Sequence, residues 1–565
     1  MCTLDTKAVD TRPKASLLQL CLTTMCFAGI QFTWTVELSY GTPYLLSLEL
    51  SKELTALVWF AAPLSGLIVQ PLVGAWSDKH TSRLGRRRPF ILGGGVFVCL
   101  SLLCVAYSKQ IAAIFVTDDN PAQSKVAIAV AVSAFYVLDF SLNAVQASCR
   151  SLILDVFPIT QQDTANAFAS NTQNVTNVFG YFIGFVDLVK YVPGLGKSQM
   201  EAFCTAGVIV FVCAISVTCF AVKEVPYRKT RDESSEPWYL IFVYIWHAFR
   251  QLPSSVQKLC NVMFFAWMGW FPFLFYSTTW ISDIYFQTHE MEDPDAWDKG
   301  TRAGSFALLL YAIVAVIAGT VLPILTANGY VSLKNTYTLS HVVFAIAMVS
   351  TVFVHTVAGA TFLLSLLGIS FACAMWIPYA LVGEYLVVEN KQQQDVEEQV
   401  MIVEDGCRID GEDGVEQSGN STARPRTASS NSSSSSKDVN YGATTTAVGS
   451  SSVSSSSSQQ GPAAVQTQKE DHNKKTKYDA GMVLGVLNMY VVFPQFAVAI
   501  ISAVIFAIVH HLQSKNKDAE GGGGSPEEGS MEEAAGVAWV LRFGGLMAVI
   551  AAVLSRRVID VQARM

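Results

Sequence analysis

Asp139, Asn143, Gln146 and Arg150 interrupt an otherwise apolar stretch at spacings of four, three and four residues. In a helix that spacing lays all four along one stripe. Ionisable groups facing lipid are expensive, so the stripe must line a cavity or another helix. A carboxyl in such a partly dry place favours its neutral form, as a group that takes up and returns a proton requires. Asp139 is therefore the first candidate for a proton carrier, with Arg150 near the inner end of the same helix. The two lie about 16 Å apart along the axis, too far for a direct pair. The structural alternative is a polar network that holds this helix in place. Glu37 is the second intramembrane acid, expected near the outer end of the first apolar run, as a solvated vestibule residue or a second coupling group. Asp187 and Lys190 read as an interfacial pair.

Aromatic planes with amides beside them suit a ligand whose apolar ring face is rimmed by hydroxyls. Gln31 and Trp34 lie three apart, Asn171, Asn174 and Asn177 recur every three residues, and Asn488 and Gln495 lie seven apart. Trp267, Trp270, Tyr276 and Trp280 supply aromatics, and Asn143 and Gln146 add amides. The bland alternative for each is an interfacial aromatic belt or an amide that joins two helices. His341 and His355 have no acidic neighbours at helical spacing and read as packing residues. No nucleophile–base pair, metal-ligand cluster or phosphate loop appears at usable spacing, so enzyme chemistry, a metal and a cofactor are not expected. Nothing calls for a nucleic-acid partner. The 12 cysteines are mostly scattered singly in apolar runs and read as small core residues.

The elements that must position these residues follow from composition. The chain is 51% hydrophobic and 15% charged, with a mean hydropathy of +0.36, too apolar for a soluble protein of this length. Twelve apolar runs long enough to cross a bilayer fall near 17–37, 54–75, 90–107, 126–148, 172–192, 200–222, 257–280, 303–325, 336–357, 360–384, 482–510 and 535–555. They are continuously apolar rather than alternating, which predicts helices and excludes a membrane barrel. The first run carries Gln31, Trp34 and Glu37 and no small-residue cleavage site, so it reads as an uncleaved helix. The net charge of −7 says little, but its distribution orients the chain. Basic clusters follow runs two, six and twelve, and Lys7, Arg12 and Lys14 precede run one, all on one side. Acidic clusters after runs seven and eleven fall on the other. The positive-inside rule makes the basic side cytoplasmic.

This organisation gives a tail (1–16), a six-helix bundle (17–222), a cytoplasmic linker (223–256), a second six-helix bundle (257–555) and a tail (556–565). Within the second bundle lies a polar insert, 389–478, with serine tracts at 432–436 and 454–458; its composition predicts disorder. The insert reads either as an inert spacer or as an element on which a regulatory kinase or ubiquitin ligase acts. The layout is similar to the major facilitator fold.

Several segments resemble the plant sucrose–proton symporters and the fungal general α-glucoside permeases: AGIQFTWTVELSYGTPYL, PLSGLIVQPLVGAWSDKHTSRLGRRRPFI, LDFSLNAVQASCRSLILD, TANAFASNTQNVTNVFGY, WFPFLFYSTTW and LGVLNMYVVFPQ. The resemblance implies a disaccharide–proton importer in which Asp139 is the protonated acid and Arg150 its basic partner. It also implies a cytoplasmic gate at Asp78, Arg86, Arg87 and Arg88. Where plant members have acidic residues near the end of the seventh helix, this chain reads Ser277-Thr278-Thr279, closer to the fungal branch. The alternatives are a facilitator or exporter without proton coupling and a sugar sensor without turnover. The expected membrane is the plasma membrane, with a vacuolar or lysosomal membrane as the alternative.

Overall fold

The computed structural model describes residues 15–78, 80–116, 122–222, 224, 243, 250, 252–288, 296–412, 480–519 and 526–558. Most of the linker, the serine tracts, Glu290, Glu292, Asp293, Asp295 and Lys79 lie outside them. Within hydrocarbon every backbone N–H and C=O must be satisfied inside the segment, and the apolar runs do so as helices. These are α1 (Leu17–Thr24), α2 (Cys26–Ser47), α3 (Lys52–Val58), α4 (Ala61–Asp78), α5 (Arg88–Ala106), α6 (Ser108–Phe115), α7 (Ala122–Val156) and α8 (Ile159–Phe185). They continue as α9 (Leu188–Tyr191), α10 (Gln199–Ala221), α11 (Ser254–Thr288), α12 (Ala296–Ala327), α13 (Leu333–Ser350), α14 (Val357–Glu412), α15 (Ala480–Ala519) and α16 (Pro526–Ser555).

Among the described residues, 11 helical spans are long and apolar enough to cross a membrane. The twelfth expected crossing is α8, whose 27 residues suffice in length but carry the sequence TQQDTANAFASNTQNVTN. Its amides lower the hydropathy because part of this helix lines a cavity rather than lipid. The same polarity explains why the apolar run at 172–192 begins well after the helix does. The chain is thus a multi-pass, all-helical membrane protein.

Two differences from the sequence expectation change the chemistry. The first crossing does not end at Glu37: α2 continues for ten residues to Ser47. The polar stretch SYGTPYLLS reads as a terminus, yet Ser39 and Thr42 are buried against protein. Glu37 therefore sits well inside the span. The second difference is α14, whose backbone is helical to Glu412, so residues 389–412 of the polar insert are helical. Residues 386–479 form a unit of their own, described only as far as Glu412.

Two cores organise the remaining chain. Leu20, Phe32, Val98, Leu142, Leu152 and Phe203 pack α1, α2, α5, α7 and α10 together. Trp270, Leu308, Phe344, Leu367, Val498 and Leu541 pack α11 to α16. In the second bundle the backbones of α11 and α16 meet at Gly269 and Gly544, where a Cβ on either would stand within 2.9 Å of the other's carbonyl oxygen. Small residues at a crossing let membrane helices approach closely.

Candidate functional site

The Glu37 and Asp139 carboxyls meet side chain to side chain, α2 against α7, and each residue is 2% exposed. Glu37 Oε2 and Asp139 Oδ1 have no hydrogen-bond partner among the described residues. Two carboxylate oxygens cannot bond each other without a proton between them, so these two acids can share a bond only when one of them is protonated. The expectation of a solvated Glu37 is corrected: it is the buried partner of Asp139.

Below the pair, Asn143 Nδ2 donates to Ser65 Oγ at 2.7 Å and to the Asp139 carbonyl at 3.0 Å. Gln70 Nε2 donates to Asn143 Oδ1 at 2.7 Å. Asn143 thus ties α7 to α4 and holds the turn that carries Asp139, rather than facing open space. Arg150 is exposed and looks across to Tyr379 of α14. Gln146 is half-buried on the same stripe.

A cavity of about 350 Å³ separates α2 and α8 from α12 and α14, within the roughly 300–1,000 Å³ of small-molecule sites. One wall carries Gln31, Asn174 and Asn177, and the other Tyr311, Phe371 and Trp376. Gln31 Nε2 and Thr35 Oγ1 both donate to Asn177 Oδ1 at 3.1 Å, fixing the amide wall. Opposite them, Tyr311 Oη and Trp376 Nε1 are buried atoms without partners among the described residues. Amides facing aromatic rings with unused hydroxyl and indole groups suit a polyhydroxylated ring. Gln31 and Glu37 lie about 120° apart around α2. One helix therefore carries both a cavity residue and an acid of the carboxyl pair, with half-buried Trp34 between them.

Of the residues expected at a binding site, Gln31 and Asn174 line this cavity; Trp34, Asn143, Gln146, Trp270, Tyr276, Asn488 and Gln495 are not among its lining residues. Trp270 is locked among Phe273, Phe344 and Phe371. Tyr276 is buried towards Ser502. On α15, Asn488 is exposed and Gln495 half-buried. Tyr311, Phe371 and Trp376 were not expected: they sit in runs whose polarity is uniformly low. The one sequence signal is a stripe of Tyr311, Ala315, Gly319 and Pro323, four apart, whose small members open space beside α12.

The expected cytoplasmic gate is, in its described bonds, a clamp within the first bundle. Asp155 at the end of α7 accepts from Arg86 Nε at 3.0 Å and from Arg87 Nε at 2.8 Å, and Arg87 also donates to Ser77 Oγ. The Glu224 carboxylate accepts the backbone N–H groups of Arg87 and Arg88 at the start of α5. Gly85 makes the turn at φ +104°, where a Cβ would strike Glu224. The Asp78 side chain lies outside the described residues.

Contacts between the bundles gather on the opposite face. Thr42 Oγ1 donates to the Phe275 carbonyl at 2.8 Å, Trp59 Nε1 donates to Thr42 Oγ1 at 3.0 Å, and the Trp59 and Phe275 rings stack at 4.2 Å. Lys52 pairs with Asp283 at 3.6 Å. Arg302 donates to the Phe185 carbonyl and to Asp187 Oδ2, each at 2.9 Å. Asp187 also caps the Lys190 backbone, but its ionic partner is Arg302 of the other half rather than Lys190. The acidic face is closed, while the cavity runs from mid-helix towards the basic face at Pro323. A partly exposed ion pair contributes only about 0–1 kcal/mol. Replacing Arg302 by Ala is accordingly expected to loosen this closure several-fold without unfolding the protein, read as faster maleimide labelling of a cysteine placed at Leu46.

Two helical bundles around a central cavity, closed on one face, define a transporter-type membrane fold. Residues 16–392 match the Major Facilitator Superfamily. The general alpha-glucoside permease of Schizosaccharomyces pombe is 32% identical over 445 residues, covering 65% of this chain and 80% of that protein. The sucrose transport protein SUT1 of Oryza sativa subsp. japonica is 34% identical over 332 residues, and SUC3 of Arabidopsis thaliana 27% over 377. This chain spans 61% and 63% of those two plant proteins. Among solved structures, a bacterial homolog of the human lysosomal transporter Spinster aligns with a TM-score of 0.52 at 11% identity, covering 96% of both chains. A structure described under substrate recognition in proton dependent oligopeptide transporters aligns at 0.53 and 9%, covering 97% of this chain and 100% of that one. The chain belongs to the Major Facilitator Superfamily, in the group that holds the general alpha-glucoside permease and the sucrose transport proteins.

Proposed function

We propose that this protein imports a disaccharide of the sucrose, maltose or related α-glucoside class together with protons, by alternating access. The observation that carries this reading is the buried Glu37–Asp139 pair on a helix that also lines the cavity. Two negative charges in one dry site repel strongly, so the pair holds a proton whenever the bundles close around it. Gln31, Asn174 and Asn177 take sugar hydroxyls, and Tyr311, Phe371 and Trp376 present ring faces and two further polar groups. Arg150, exposed towards the basic face, draws the carboxyl pair's charge inward once the proton leaves. Arg86 and Arg87, bound to Asp155, keep the inner ends of α5 and α7 moving as one body. The names of the relatives support the substrate class, and the inward cavity with a closed acidic face supports the alternating cycle.

In this reading the protein works in the plasma membrane, and the 389–478 insert is where a regulatory kinase or ubiquitin ligase acts. The test is counterflow of labelled maltose and sucrose in proteoliposomes. A transporter exchanges internal for external sugar, whereas a receptor without turnover gives none, and the latter result would sink the proposal. Persistence of net uptake at an unchanged rate after collapse of the proton gradient would instead identify a facilitator.

A further inference from the structure

The closed acidic face hides hydroxyl groups that nothing satisfies. Between the bundles lies a tight seam lined by Thr42, Lys52, Thr55, Tyr276, Thr279 and Phe506. It leaves no room for a water molecule. Thr55 Oγ1 and Thr279 Oγ1 are buried there without a hydrogen-bond partner among the described residues, and the buried Tyr276 hydroxyl has only the Ser502 hydroxyl beside it. Beside them Ser39, Ser277 and Thr278 are also unpartnered among the described residues, whereas Thr301, Ser282 and Ser305 donate to the carbonyl four residues back. For Thr279 that carbonyl belongs to Phe275, and the hydroxyl of Thr42 from the other bundle occupies it. Buried polar groups are nearly always paired, so a set of orphans on both sides of one inter-bundle seam needs a partner from another state.

We infer that Thr55, Tyr276 and Thr279 form an outer sugar subsite, assembled when the acidic face opens and dismantled in the conformation described here. Separation of the bundles parts Trp59 from Phe275 and Lys52 from Asp283, so ring faces and charged groups emerge beside the three hydroxyls. Aromatic planes next to hydroxyl donors and acceptors are the chemistry that a pyranose ring recognises. The subsite rests on the transport reading, and it explains how one substrate is selected from outside by groups absent from the inner cavity.

The test uses the full-length protein with Thr55→Val and Thr279→Val together, near-isosteric changes that remove hydroxyls but break no bond in the closed state. Uptake in right-side-out vesicles should show external KM for the transported disaccharide raised roughly tenfold, the loss expected for hydrogen bonds to a ligand. The same variant in inside-out vesicles should show less than about a twofold change, because the inner cavity is untouched. Thr55→Ser with Thr279→Ser should restore the external value. A change of the gate equilibrium alone moves outer and inner affinities in opposite directions, and that result would overturn the subsite. So would unchanged affinity on both faces, or an equal loss on both. Failure of wild-type counterflow would instead remove the transport reading, which keeps the two conclusions separable.

Discussion

Asp139→Asn is expected to abolish uphill accumulation while leaving exchange of labelled sugar in place. One proton entering down about 100 mV supplies roughly 2.3 kcal/mol, and one pH unit adds about 1.4. Together these sustain a gradient of several hundred-fold, given a tenfold change per 1.4 kcal/mol. Asparagine is close to aspartate in shape and can accept a bond from the helix, but it neither gains nor loses a proton. The Asn143–Ser65–Gln70 network holds the local turn through the Asp139 carbonyl, not its carboxyl, so the substitution should leave α7 seated on α4. The bundles then still close around an occupied cavity, and exchange continues without a driving force. The measurement is sugar-induced alkalinisation outside cells expressing wild type or variant. Undiminished proton uptake in the variant would take Asp139 out of the mechanism.

Residues that contrast with their surroundings were legible in the sequence; those that blend with them were not. Asp139 and its stripe stood out because ionisable and amide groups at helical spacing are rare among apolar neighbours. Glu37 was visible as an acid but misplaced, because SYGTPYLLS looks like a helix end to any hydropathy window, and only tertiary burial makes it interior. The entire helix α8 shows the same effect in reverse: amides that line a cavity lower the average that marks a crossing. The aromatic wall was hidden because Tyr311, Phe371 and Trp376 are ordinary members of apolar runs. The arginine motif was conspicuous, but its partners Asp155 and Glu224 lie 68 and 137 residues away from Arg87, a pairing that no local pattern encodes.

The wall's geometry yields the second large effect, at a glycine with no chemistry of its own. A Cβ at Gly368 would stand 2.4 Å from the Tyr311 carbonyl oxygen and 2.7 Å from the Ala315 backbone nitrogen. Both obstacles are backbone, so no rotamer change relieves them and α14 must move away from α12. Overpacking of this kind costs about 1–3 kcal/mol and occasionally more. The displacement falls on Tyr311 and Phe371, whose rings lie 5.4 Å apart on the two helices, so the cavity wall loses its shape together with its stability. Gly368→Ala is therefore expected to lower the melting temperature of the detergent-solubilised protein and to cut uptake at the same time. Gly383, on the same helix, has nothing within 4 Å of its Cβ position. There alanine should raise helix stability by up to about 1 kcal/mol. Equal melting of the two variants would mean that α12 and α14 are not in backbone contact at this crossing, and the cavity built between them would have to be redrawn.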